Sequence, residues 1–195
     1  MCIRDSIGSG AALRLYRRQK NLQRYGAETQ EHKRFLSLRG DAWPNLSGIS
    51  ALGYALTPLV LGHAFVNRVL PLIHLGGSST VGLEYVAHGF AKHPLVSNIG
   101  FAALVVVGVS HTVWGWAKWL NLSPAQVATG GQEGQIRKNR RWYIVNGVSA
   151  LVAGLWLAGG LGVVGRGGRA EGWLGEEYDE LYRRIPIVGH WISGN

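Results

Sequence analysis

The sequence predicts an all-α, polytopic membrane helix bundle with three complete transmembrane helices plus the end of a preceding one. Three observations carry this. Apolar residues gather in long runs near 49–75, 95–117 and 142–164, each long enough to cross a bilayer. Hydrophobic residues make up 47% of the 195 and charged ones only 16%, and the charges sit in blocks between the runs. The runs are continuous rather than alternating with period two, so their backbone hydrogen bonds must close within helices rather than in a barrel.

The elements follow in order. Residues 1–6, MCIRDS, read as a foreign leader that does not belong to the fold. Residues 7–20 carry a short apolar run that ends in Arg14, Arg17, Arg18 and Lys20, too short to cross alone and expected to be the last turns of a truncated helix. Residues 21–45 form a polar, cytosolic connection closed by Trp43 and Pro44, an interfacial aromatic and a helix-initiating proline. A transmembrane domain then fills 46–164. Its first span contains Pro58, for whose freed carbonyl Thr57 is a candidate local partner, and Pro71, expected to bend or end the helix.

Between the first two spans, residues 76–94 read as a surface or re-entrant loop with a short amphipathic piece. His88 and His93, five apart with no third ligand in view, make a poor metal site. The second span, Leu95 to Trp119, ends in Trp114, Trp116, Lys118 and Trp119, an aromatic and basic anchor. Residues 121–141 read as a flexible loop whose GGQEG lacks the strand and the Lys-Ser or Lys-Thr of a phosphate-binding loop. The third span, Trp142 to Val164, carries Ala150, Gly154, Ala158 and Gly162, a small-residue stripe that predicts close packing against another helix. Residues 165–195 mix charges with aromatics and read as an interfacial amphipathic tail.

Charge sets the expected orientation. Three spans put 14 of the 20 Lys and Arg on the side of the 121–141 loop, and the positive-inside rule places that side in the cytosol. The net charge of +9 is thereby explained by topology and not by nucleic acid. With Cys2 the only cysteine, neither a disulfide nor a cysteine metal site can form. No set of nucleophile, base and orienting group supports catalysis.

Two histidines stand inside the apolar runs. An ionisable group in a span is a functional candidate, so His63 and His111 are the candidate cofactor-binding residues, with a b-type haem as the cofactor to test. The competing reading of each is a neutral imidazole hydrogen-bonded across helices. His63 lies near one boundary and His111 near the other, so the pair is ill-placed to hold one haem jointly.

ALRLYRR, WPNLSGISALGYALTPLVLGHAFVNRVLP, GGSSTVGLEYVAHGFAKHP and GVSHTVWGWAKW together resemble the MCP-type transmembrane domain of the fungal mitochondrial outer-membrane adapter protein family, over roughly residues 8–192. The resemblance implies five transmembrane helices, so that upstream helices of the same protein would be partners of those present. It also implies residence in the mitochondrial outer membrane and a role in lipid homeostasis. A bridge-like lipid-transfer protein would be recruited through a proline-containing amino-terminal motif, and no proline precedes Pro44 here. The same domain is similar to the membrane-anchor subunits of succinate dehydrogenase and fumarate reductase, whose helices present histidines to haem. His63 and His111 are the positions that match. Expected partners are membrane lipids and that transfer protein; nucleic acid is not among them.

Overall fold

The computed structural model describes residues 3–24, 46–186 and 189. Most of the 21–45 connection, including Trp43 and Pro44, lies outside the described residues. The chain divides into two units, Met1–Ser47 and Gly48–Asn195. In the first, helix α1 runs Ile3–Arg24. It takes in residues 3–6 of the expected leader.

The second unit holds three helices long and apolar enough to cross a membrane. The first is composite. Helix α2, Gly48–Ala64, passes through Pro58 and is followed by one π turn, Phe65–Val69, and by α3, Leu70–Leu75. Pro71 therefore does not end the helix. It occupies the first turn of α3, where its missing N–H is tolerated, and the wider π turn before it absorbs the mismatch. The helix stops instead at Gly76, whose φ of 72° is the left-handed conformation that glycine adopts without penalty. Thr57 bonds the Gly53 carbonyl at 2.9 Å, one residue short of the Tyr54 carbonyl that Pro58 leaves without its helical donor.

The expected loop at 76–94 is more ordered than its glycines and serines suggested. A 3₁₀ turn, Ser78–Thr80, leads into helix α4, Leu83–Lys92, and Pro94 then opens the second span, α5, Pro94–Trp119. A connection closed by Asn121 in the left-handed region and a 3₁₀ turn at Pro124–Gln126 leads to α6, Gly131–Val164. At 34 residues α6 is about 50 Å long, well beyond the hydrocarbon thickness of about 30 Å. Its first eleven residues lie in the stretch expected to be a flexible loop. They are polar but helix-compatible, and Glu133 and Arg137 form an i,i+4 pair at 2.6 Å. Helix α7, Gly172–Arg183, completes the unit.

The spans pack antiparallel in a readable register. The α5 residues Gly108 and His111 face Leu56 and Gly53 of α2. On the other side of α5, the Phe101 ring fills the notch at Gly160 of α6, and the Trp114 indole N–H donates to Asn146 Oδ1 at 3.4 Å. Val105, Val109 and Ala153 form the buried seam between α5 and α6. The face that packs is thus Val145, Ser149, Ala153 and Gly160, whereas Ala150, Gly154, Ala158 and Gly162 are exposed or only partly covered. The small-residue stripe is real in sequence but does not carry the α5–α6 contact. Leu151, Leu155 and Trp156 are more than 60% exposed, as expected of side chains whose solvent is lipid.

A Cβ built on Gly160 falls 2.5 Å from the Phe101 ring, so Gly160→Val must displace that ring. It is expected to cost roughly 1–3 kcal/mol, read as a lowered thermal midpoint in detergent. Gly147→Val, on an open stretch of the same helix, serves as the matched control and should stay within the cost of β-branching alone.

Candidate functional site

Three places in the second unit gather the histidines and their polar neighbours. The first is the seam between α2 and α5. His111 Nδ1 meets the Ile49 carbonyl at 3.0 Å, and its ring lies flat against Gly53, where a Cβ would stand 3.0 Å from Cε1. A carbonyl can only accept, so Nδ1 carries the hydrogen. Gly53 and Ile49 are four apart on one face of α2, and the missing side chain at 53 lets the imidazole reach the carbonyl one turn below. This is an interhelical hydrogen bond at a close helix crossing.

The second place is His63. It is ten residues further along α2 than Gly53, the level of His111, so the two histidines are separated by about 15 Å along the helix axis. They do not share one haem. His111 Nδ1 is taken by the Ile49 carbonyl, which leaves Nε2 as the acceptor of its ring. His63 is exposed beside an apolar groove between α2, α5 and α6. Asn67 anchors its amide on the His63 carbonyl at 2.8 Å and turns its second hydrogen toward His63 Nδ1 at 3.4 Å.

The third place was not foreseen as a site. Helices α3, α4 and α7 meet in a corner with Leu70, Val81, Tyr85, Tyr178, Leu181 and Tyr182 at its core. Tyr85 stacks on Tyr182 at 4.7 Å and meets Tyr178 edge-on at 5.2 Å. The Tyr182 hydroxyl donates to the Tyr85 carbonyl at 2.9 Å, and the Tyr85 hydroxyl to the Val66 carbonyl at 3.3 Å. Gly89 leaves the space that the Tyr182 hydroxyl occupies, and any Cβ there would collide with it. Burial pushes the Tyr85 phenol up to about 12 and raises those of Tyr182 and Tyr178 as well, so all three are neutral donors.

His88, wholly buried, is bound at both ring nitrogens. Nε2 meets Asp179 Oδ1 at 2.8 Å, and Nδ1 accepts the Ala170 backbone N–H at 3.2 Å. Lys92 pairs with the other oxygen of Asp179. Burial alone would raise the Asp179 carboxyl, but the hydrogen bonds from Lys92 and His88 outweigh it and hold the group below its ordinary range. His93 is lowered by burial and by the neighbouring Lys92 charge. His88 thus belongs to an ion-pair network with Asp179 and Lys92, and His93 packs edge-on against Tyr182 beside it; among the described residues no cluster of three or more metal-ligating side chains occurs.

The spacing of α7 held a signal for this corner. Gly175, Tyr178, Leu181 and Tyr182 recur at helical intervals and are all buried, and His88 lies three residues after Tyr85 on the facing helix. What the spacing lacked was the partner. The tail is amphipathic as expected, but its apolar face is covered by α3 and α4.

Residues 58–169 match the model of one protein family, the transmembrane domain of MDM10-complementing protein 1. The chain belongs to this family. No significant match is found among curated proteins or among solved structures. The MDM10-complementing protein 1 match takes in the first apolar helix from Pro58 onward, the whole of the other two and both intramembrane histidines, together with α4 and the chain after α6 up to Arg169. Asp179 and the tyrosines of α7 lie past its end.

The corner has a defined response to acid. A carboxyl held below its usual value contributes stability that is complete above the unfolded value of about 4 and is lost as pH falls through the folded one. A histidine lowered in the fold contributes fully above about 6.5 and less as pH falls below it. Thermal midpoints in detergent should therefore decline in two stages on acidification. His93→Gln is expected to flatten the upper stage, and Asp179→Asn the lower one while reducing stability at neutral pH.

Proposed function

We propose that this chain is a non-enzymatic anchor of the mitochondrial outer membrane that helps to hold a bridge-like lipid-transfer protein at that surface, its recruiting motif lying upstream of the three spans. The observation that carries the reading is the family match falling across three apolar helices. The intramembrane polar groups support it. Thr57, Thr112 and Ser149 each return a hydrogen bond to the carbonyl four residues back, and His111 bonds a neighbouring helix. These groups serve packing and backbone satisfaction, the needs of an anchor, and none is poised as a nucleophile or base.

A labelling experiment tests location and orientation together. In a Cys2→Ser background, Gln132→Cys and Gly82→Cys place single thiols at exposed positions on opposite sides of the predicted topology. In intact mitochondria from cells expressing the tagged chain, a membrane-impermeant maleimide should label position 132 and leave position 82 unlabelled until detergent is added. Recovery of the chain in another membrane, or the reverse labelling, overturns the assignment.

A further inference from the structure

Helix α6 is longer than a bilayer needs, and its charge lies in the excess. From Trp142 to Val164 it carries no Asp, Glu, Lys, Arg or His and rises about 33 Å, which accounts for the hydrocarbon thickness. The residues before Trp142 project beyond it. Arg137, Lys138, Arg140 and Arg141 lie within about 7.5 Å of Trp142, the depth of a headgroup layer about 5–7 Å thick. The Trp114 contact with Asn146 sets the register of α5, so Lys118, one turn beyond Trp114, stands level with Trp142, one turn before Asn146.

Five cations thus gather at this boundary, and between Lys118 and Val164 the one carboxylate is Glu133. The stretches at the other ends of the spans, 65–94 and 165–195, hold six Lys and Arg against six Asp and Glu. One end of the second unit is strongly basic and the other is balanced.

The fold leaves most of the basic charge unspent. Arg141 donates to the Asn121 and Ser123 carbonyls at 2.9 and 3.4 Å and so holds the α5–α6 connection against α6. Gln126 ties the same connection to the Lys118 carbonyl at 2.9 Å. Arg137 pairs with Glu133 in an exposed contact of the kind that contributes little and exchanges for another anion. Among the described residues Lys118, Lys138 and Arg140 have no carboxylate partner.

Helical spacing gives this collar a shape. Lys138 and Arg141, three apart and half-buried, share the face toward the connection, whereas Arg137 and Arg140, three apart and exposed, share the outer face. Beneath Arg140 on that outer face come Tyr143, Gly147 and Leu151, all exposed, with open space where a side chain at 147 would stand. Side chains on a helix lean toward its N-terminus, so Arg140 and the Tyr143 hydroxyl reach toward the headgroups while the strip below stays apolar. Two guanidinium groups above such a strip complement a phosphate joined to an acyl chain.

Depth and charge select the occupant. The turns that project beyond the headgroup layer, where a soluble acidic protein would dock, carry Gln132, Glu133 and Gln135 and no cation. A zwitterionic headgroup brings its own ammonium with each phosphate and offers the collar no net charge, whereas an anionic one does. We propose that this collar is a site for anionic phospholipid, one headgroup phosphate resting on Arg137 and Arg140 and an acyl chain running past Tyr143, Gly147 and Leu151. The site requires only that the spans lie in a bilayer; it depends neither on the anchor reading nor on which side is cytosolic.

The test uses the full chain reconstituted in phosphatidylcholine vesicles with a trace of one of two photoactivatable lipids, phosphatidylglycerol or phosphatidylcholine, each with a diazirine near the ester end of one acyl chain. Crosslinks are mapped by peptide mass spectrometry. The phosphatidylglycerol probe should label 143–151 roughly threefold or more above the phosphatidylcholine probe, with no such preference at Leu72 and Ile73, exposed near the opposite end of the bundle. Arg137→Gln with Arg140→Gln should bring the ratio at 143–151 close to one. Raising the salt concentration on the unaltered chain should lower the same ratio, a reading that needs no variant to fold. Equal labelling by the two probes, or a preference that the double variant and salt leave intact, overturns the proposal. Bimane on Asn139→Cys, in a Cys2→Ser background, should be quenched by phosphatidylcholine carrying a nitroxide on its headgroup. Absence of quenching would set the collar clear of the headgroups, as a surface for an acidic protein, and also overturns the proposal.

Discussion

In a bilayer no water is present to bond a stray carbonyl, and much of this molecule follows from one carbonyl that its own helix cannot satisfy. Pro71 has no N–H to return to the preceding turn, and in the π register the carbonyl left open is that of Val66. The donor comes from outside the span, as the Tyr85 hydroxyl of α4. Tyr85 is in turn held by the stacked ring and the hydroxyl of Tyr182 from α7. A proline in the first span thus fixes where two extramembrane helices must sit.

The ion-pair network around His88 extends the same logic to the chain after α6. A neutral imidazole has one donor and one acceptor, and here each is matched, to the Asp179 carboxylate and to the Ala170 N–H. Ala170 lies at the exit from the third span and Asp179 on α7, so a single buried side chain on α4 holds both the turn and the helix that follows. Lys92, one turn further along α4, neutralises the charge that His88 alone would leave on Asp179. The ion pair and the aromatic stack are contiguous, since the His88 ring meets Tyr178 edge-on at 5.7 Å and lies parallel to Tyr182 at 6.3 Å.

The spans were legible in the sequence because hydrophobic length is a local property, and their ends fell within a few residues of the apolar runs. The exceptions share a cause. Helix α6 begins eleven residues early because Gly131 to Arg141 is polar without being helix-breaking, and hydropathy alone cannot see such a stretch. The π turn and the α4–α7 corner escaped because each depends on a partner remote in sequence: Tyr85 for Val66, Asp179 for His88. The stripe from Ala150 to Gly162 misled for the opposite reason. Small residues permit close approach but do not choose a neighbour, and α5 packs on the adjacent face, where Phe101 finds Gly160.

His63 and His111 were indistinguishable as sequence, two ionisable residues in apolar runs, and their surroundings separate them. His111 gives its Nδ1 hydrogen to a carbonyl that α2 would expose to the seam, and its ring replaces the side chain that Gly53 lacks. Removing it would open a void at Gly53 and take away an interhelical hydrogen bond to the Ile49 carbonyl. His63 fills no void, and its contact with Asn67 is made within its own helix. An imidazole held that way, at the end of an open apolar groove, costs free energy in a hydrocarbon medium that nothing in the bundle returns.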